Sequence, residues 1–288
     1  MADDRALEER IAEVGAVKAF CEEKGMRVGD LFTRVDLSRE VPAWTLFVSL
    51  KDRIAPPEGV RGLARGESGM ECSSLLSAMS RKKELDEQGF DTLLIPTAYG
   101  EEDCPITASL LKVKLAEMAT LVIHEGFHVH VAHRYDSGGS AYLPACLEEA
   151  LAMHLQFIGA REFLGEHRPE DLPAVEQQMA DWNILVEFVN GYYGRLTSCY
   201  RSGGAQRETI LSEANEVARI LGDSCADRWV RDHYADSINN AFFLAERDYT
   251  VYYPAVRSAL EGLSLADYVR SQDEITRELF DRCLGCGE

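Results

Sequence analysis

One pentapeptide limits this chain more than any other stretch. It is His124-Glu125-Gly126-Phe127-His128, set in the apolar, helix-prone run from Thr107 to Arg134. Residues four apart on an α-helix share a face, one turn above the other. His124 and His128 can therefore offer two imidazole nitrogens to one divalent cation, with Glu125 beside them in reach of a water at the same centre. A fold that uses this pattern keeps the run helical and brings a further ligand from a neighbouring element.

A catalytic zinc usually takes three protein ligands and leaves a fourth position open. The third is expected from Leu147-Glu148-Glu149-Ala150, early in a second helix running from about Leu143 to Phe163. Asp136-Ser137-Gly138-Gly139 ends the motif helix and allows the second helix to fold back along it. Adjacent residues differ by about 100° around a helix, so only one of the two carboxylates turns to the metal. Spacing alone leaves Glu148 and Glu149 both open. Glu148 turned inward could bind a substrate's α-ammonium; turned outward it is a solvated helix carboxylate. His130 and His133 lie off the face of the pair and read as surface residues or as support behind the ligands.

The rest of the chain frames this site. Leu7, Ile11, Val14, Val17 and Phe20 recur at helical spacing and predict a helix over 3–24. Trp44 to Leu50 and Asp91 to Thr97 read as strands, the second an edge strand or strand end because Pro96 cannot donate to a ladder. A loop from Lys51 to Gly69, with Pro56-Pro57 and four glycines, and a helix over 71–88 lie between them. From Thr107, a plausible cap, the pattern is nearly all helical: 107–134, 143–163, a third helix opened by Pro169-Glu170-Asp171 and closed by Gly203-Gly204, then 205–221, 225–260 and 264–282. The expected fold is mostly α (α+β). It is read as a single domain over 1–288, mixed α/β over 1–106 and helical over 107–288, where the metal site lies.

Composition narrows the partners. A hydrophobic content of 46% and a charged content of 27% fit a globular enzyme. The net charge of −19 argues against nucleic acid or an anionic membrane as the main partner, since both are gripped by Lys and Arg. No apolar run reaches the ~18 residues of a membrane helix. The N-terminus lacks the basic-then-apolar layout of a signal peptide, and eight scattered cysteines form no tight framework. Reduced thiols and a cytoplasmic location are expected. Cys283-Leu-Gly-Cys286 has no second pair and reads as incidental. There is no Gly-x-Ser-x-Gly elbow, phosphate-binding glycine loop or dinucleotide fingerprint.

His-Glu-x-x-His followed some twenty residues later by a Glu on the next helix resembles the gluzincin metallopeptidases, the group of thermolysin. Their third ligand sits in an Asn-Glu-x-x-Ser/Ala setting; here it is Glu148-Glu149-Ala150-Leu151-Ala152, with Glu148 in place of Asn. The chain also resembles the bacterial "putative zinc aminopeptidase" family. Ala98-Tyr99-Gly100 with Pro105 precedes the motif helix, and Asn239-Asn240-Ala241, Tyr249 and Pro254 follow late in the chain. The resemblance implies a zincin-like helical domain with a small sheet beside the active-site helix. It also implies one Zn²⁺ per chain on His124, His128 and Glu149, with Glu125 as general base. Tyr249 is the implied oxyanion donor, with Tyr252 or Tyr253 as substitutes, although among eleven tyrosines an aromatic on a helix is more often core.

The implied activity is hydrolysis of a peptide or amide bond, aminopeptidase-like, and a strand over Asp91 to Tyr99 could pair with an extended peptide substrate. Two alternatives use the same residues. The set can hold Fe²⁺ for oxygen chemistry, or a divalent ion in a protein without catalysis. Substrate identity and oligomeric state are not encoded legibly.

Overall fold

A computed structural model describes residues 2–38, 40–41, 43–63, 68–97, 104–136, 143–233 and 238–284. In chain order these form α1 (Ala2–Glu23), β1 (Val35–Asp36), β2 (Ala43–Ser49), β3 (Gly69–Cys72), α2 (Leu75–Glu87), β4 (Asp91–Thr97) and β5 (Ile106–Thr107). Then follow α3 (Ala108–Lys112), α4 (Leu115–Asp136), α5 (Ala145–His167), a 3-10 turn (Pro169–Asp171), α6 (Leu172–Arg201), α7 (Arg207–Ser224), α8 (Arg228–His233), α9 (Asn240–Thr250), α10 (Tyr253–Ala259) and α11 (Leu265–Leu284). Among the described residues the protein is 68% helical with a small sheet, the mostly α (α+β) class expected. No helix among the described residues is long and apolar enough to cross a membrane. Two compact units emerge, each assembled from separated stretches. The first takes Met1–Pro42, Ala98–Glu176 and Tyr252–Glu288; the second takes Ala43–Thr97 and Gln177–Val251.

The first unit is built around α4, with α1 and α5 packed against it. Val14, Val17 and Phe20 of α1 are buried, as their spacing requires. Past α1, Gly25 takes a positive φ of 89° and turns the chain so that Met26 and Val28 lie against α4. A Cβ on Gly126 would come within 2.8 Å of Val28 Cγ1 and 3.3 Å of Met26 Cε, so glycine permits this approach. Gly159 plays the same part for α5, where a Cβ would fall 3.0 Å from Ile123 Cδ1 on α4. α10 and α11 also pack on α5.

The run from Thr107 to Arg134 is not one helix. It breaks at Val113, which is extended with ψ 161°, leaving the five-residue α3 ahead of α4. Thr107 holds the N-cap position of α3 but makes no side-chain cap bond. Arg10 of α1 stabilises the break, donating from Nε to Leu111 O at 3.1 Å and from Nη2 to Val113 O. Carbonyls freed by a helix break need such a donor when half-buried.

In the second unit the strands run antiparallel in the order β3-β2-β4, with Ala43 opposite Thr97 and Ser49 opposite Asp91. β4 is thus an edge strand, and Pro96 sits opposite Trp44 without interrupting the sheet. β3 falls where a loop and a helix start were expected. Its Met70 and Cys72 join Leu46 and Val48 of β2 and Ala78 and Leu85 of α2 in one apolar core.

α9 packs on β2 and β4, and its start is fixed by polar bonds. Asn239 accepts from Ala241 N–H and Phe242 N–H as the N-cap, while its Nδ2 donates to Thr92 O at 3.0 Å. Asn240 donates its backbone N–H to Asp91 Oδ2 at 3.1 Å and its amide to Leu50 O at 2.8 Å. The Asn239-Asn240-Ala241 pattern is therefore accounted for by helix capping and strand docking. Among the described residues, 225–260 holds three helices, α8, α9 and α10, and not the single one expected, with α9 started by the cap at Asn239.

Candidate metal centre

α4 presents His124, Glu125 and His128, and the first two turns of α5 present Glu148 and Glu149. Both helices belong to the first unit. Pro144 holds the N-cap position of α5, and its carbonyl accepts from Leu147 N–H and Glu148 N–H. A carboxylate so close to a helix N-terminus is favoured by the helix dipole. The turn assigned to Gly138-Gly139 lies outside the described residues, as does Ala98-Tyr99-Gly100.

Three ligand-type atoms converge. His124 Nε2 and His128 Nε2 are 3.2 Å apart, and Glu149 Oε2 lies 3.3 Å from the first and 3.4 Å from the second. This is the group of His, Cys, Asp or Glu side chains that could hold a metal ion among the described residues. A tetrahedral zinc with ligand bonds of about 2.0–2.1 Å has ligands about 3.3–3.4 Å apart. The edges of 3.2, 3.3 and 3.4 Å lie close to that spacing, so the donor set fits such an ion. His124 is buried, at 7% exposed, while His128 and Glu149 are half-buried.

Glu148 turns elsewhere. Its Oε1 lies 2.8 Å from Nδ1 of His128, the ring nitrogen facing away from the triangle. It is neither the third member of the cluster nor a freely solvated carboxylate.

Glu125 is 5% exposed. Burial pushes its carboxyl up from the ordinary value, against the pull of the His124 and His128 imidazoles. Burial alone would lower His128, but the carboxylates of Glu149, Glu148 and Glu125 raise it well above the usual value. Burial alone would likewise raise Glu149, yet the two imidazoles hold its carboxyl well below the usual carboxylate range.

The other histidines and tyrosines are not members of this group. His130 is buried, not a surface residue: its Nδ1 accepts from Arg27 N–H at 3.0 Å and its Nε2–H donates to Gln272 Oε1 at 2.9 Å. It ties α4 to the segment after α1 and to α11. His154 is buried on α5, its ring edge-on to Tyr253 with centroids 5.7 Å apart. Tyr253 belongs to α10 and Tyr252 to the residue before it, both in the first unit, whereas Tyr249 lies half-buried in α9 of the second. Sequence reasoning missed Gly126 and Gly159 as determinants of the site. A glycine inside a helix facing an apolar stretch is the signal that could have found them.

A family model described as "Putative aminopeptidase" matches residues 74–279. The chain belongs to that family. The matched stretch of this aminopeptidase-family protein begins at Ser74, the N-cap of α2, and ends within α11, taking in His124, Glu125, His128, Glu148 and Glu149. No curated protein and no solved structure matches the chain.

Proposed function

We propose that this aminopeptidase-family protein hydrolyses peptide or amide bonds at a zinc ion held by His124, His128 and Glu149. The observation that carries the reading is the triangle of two imidazole nitrogens and one carboxylate oxygen, with edges of 3.2 to 3.4 Å. Such an ion polarises the scissile carbonyl and acidifies a water.

The chain's own residues supply the proton handling. Glu125, one residue past His124 and buried, accepts a proton from the attacking water at a carboxylate oxygen. The water oxygen bonds to the carbonyl carbon; when the carbon–nitrogen bond breaks, Glu125 returns the proton to the leaving amine nitrogen. Tyr249 is proposed as donor to the oxyanion on the family resemblance. An N-terminal, exopeptidase-like preference rests on the family description alone.

The test compares wild type and Glu125→Gln on a diverse peptide library, with zinc content measured for both. The expected result is a loss of about 10²–10⁴-fold in kcat with zinc content unchanged. Unchanged hydrolysis removes Glu125 from the mechanism, and a zinc-loaded wild type that cleaves nothing removes the peptidase reading.

A further inference from the structure

The Glu148–His128 bond points past the three-atom cluster. His128 places Nε2 in the triangle and Nδ1 against a carboxylate 2.8 Å away. An imidazole can ligate through Nε2 only if that nitrogen keeps its lone pair, which puts the ring proton on Nδ1. A carboxylate at Nδ1 selects that tautomer, fixes the plane of the ring and strengthens the nitrogen opposite as a donor. The Glu149 oxygen meets His124 on Nε2, the cluster side.

A carboxylate hydrogen bond to an imidazole N–H is stronger than one made by a neutral amide. The side chain of Glu148 is 18% exposed and that of His128 16%, so water screens the bond only partly.

We infer that Glu148 is a positioning residue: its carboxylate presets His128 as an Nδ1–H tautomer and raises the affinity of the centre for its divalent ion. This inference rests on the metal reading above and adds a residue to it that touches neither ion nor substrate. Glu148→Gln retains an oxygen that can accept from Nδ1–H but removes the charge; Glu148→Ala removes both. The order of zinc affinity is then wild type, Gln, Ala.

The experiment is a zinc titration against a competing chromophoric chelator at fixed pH, run on wild type, Glu148→Gln, Glu148→Ala and His128→Ala. Thermal unfolding of each metal-free protein checks that the fold is intact. Glu148→Ala is expected to weaken zinc binding by about 10–100-fold, with Glu148→Gln in between and metal-free unfolding temperatures alike. In the zinc-loaded wild type, the His128 Nδ1–H gives a downfield proton resonance that Glu148→Ala abolishes. Zinc affinity equal to wild type in Glu148→Ala, with His128→Ala binding poorly, overturns the inference and leaves the metal reading standing. A fall in affinity matched by a fall in metal-free stability, with no separation between Gln and Ala, assigns Glu148 to the fold and also overturns it. A wild type that takes up no zinc overturns the metal reading itself.

Discussion

His124 Nε2 lies 3.3 Å from Glu149 Oε2, and the two residues stand on different helices. Their distance is set by how closely α4 and α5 pack, with Gly159 removing the side chain that would otherwise meet Ile123. A site carried on two packed helices is held more firmly than one carried on loops. Gly126 works on the opposite side, where Met26 and Val28 press against the turn between the two histidines. The helix that bears His124 and His128 is thus wedged in place by its neighbours.

Replacing Gly126 by Ala tests this directly. The added methyl meets Val28 Cγ1 at 2.8 Å, and overpacking of this kind costs about 1–3 kcal/mol. Helix propensity gains at most about 1 kcal/mol from the same change. The clash wins, so the urea midpoint should fall. Gly191→Ala is the matched control: it lies exposed within α6, and its methyl meets nothing within 4 Å. Its midpoint should rise by the propensity term alone. Equal shifts in the two variants would contradict the wedge.

Tyr249→Phe removes only a hydroxyl. A phenol that donates to the oxyanion contributes about 10²-fold to kcat and little to KM. The expected variant has unchanged zinc content and a kcat about a hundredfold lower. An unaltered kcat assigns the ring to the packing of α9.

His154 predicts an acid limit to stability. Desolvation, reinforced by Arg257, lowers its pKa from 6.5 to about 4, so the folded protein holds the ring neutral where the unfolded chain would protonate it. The stabilisation is fully present above pH 6.5 and is lost as pH falls towards 4. The shift is worth roughly 3 kcal/mol at most. His154→Gln should therefore flatten the pH dependence of unfolding between pH 6.5 and 4 relative to wild type. Parallel profiles would show that the imidazole is not the titrating group.

Much of this arrangement is legible in the residues. The helical spacing of Val14, Val17 and Phe20, the β-forming residues of β2 and the His-Glu-x-x-His face are local signals, and local signals survive into the fold. What escapes it depends on partners distant in sequence. Val113 breaks a helix-prone run because Arg10, far away in the chain, takes up the freed carbonyls. The start of α9 is set by Thr92 and Asp91, which sit on a strand. His130 looks peripheral by face, yet Arg27 and Gln272 satisfy both ring nitrogens in the interior. Glu148 and Glu149 could not be told apart by spacing, because which one turns to His124 is decided by the angle at which α5 meets α4.

The central claim is that two imidazoles and one carboxylate hold a single divalent ion, and metal stoichiometry tests it most directly. Wild type, Glu125→Gln and the double variant His124→Ala/His128→Ala are each equilibrated with zinc, separated from free metal and analysed for zinc per chain. The account predicts one zinc per chain for wild type and for Glu125→Gln, and none for the double variant, with all three folded by circular dichroism. Zinc retained equally by the double variant, or absent from wild type, would contradict it.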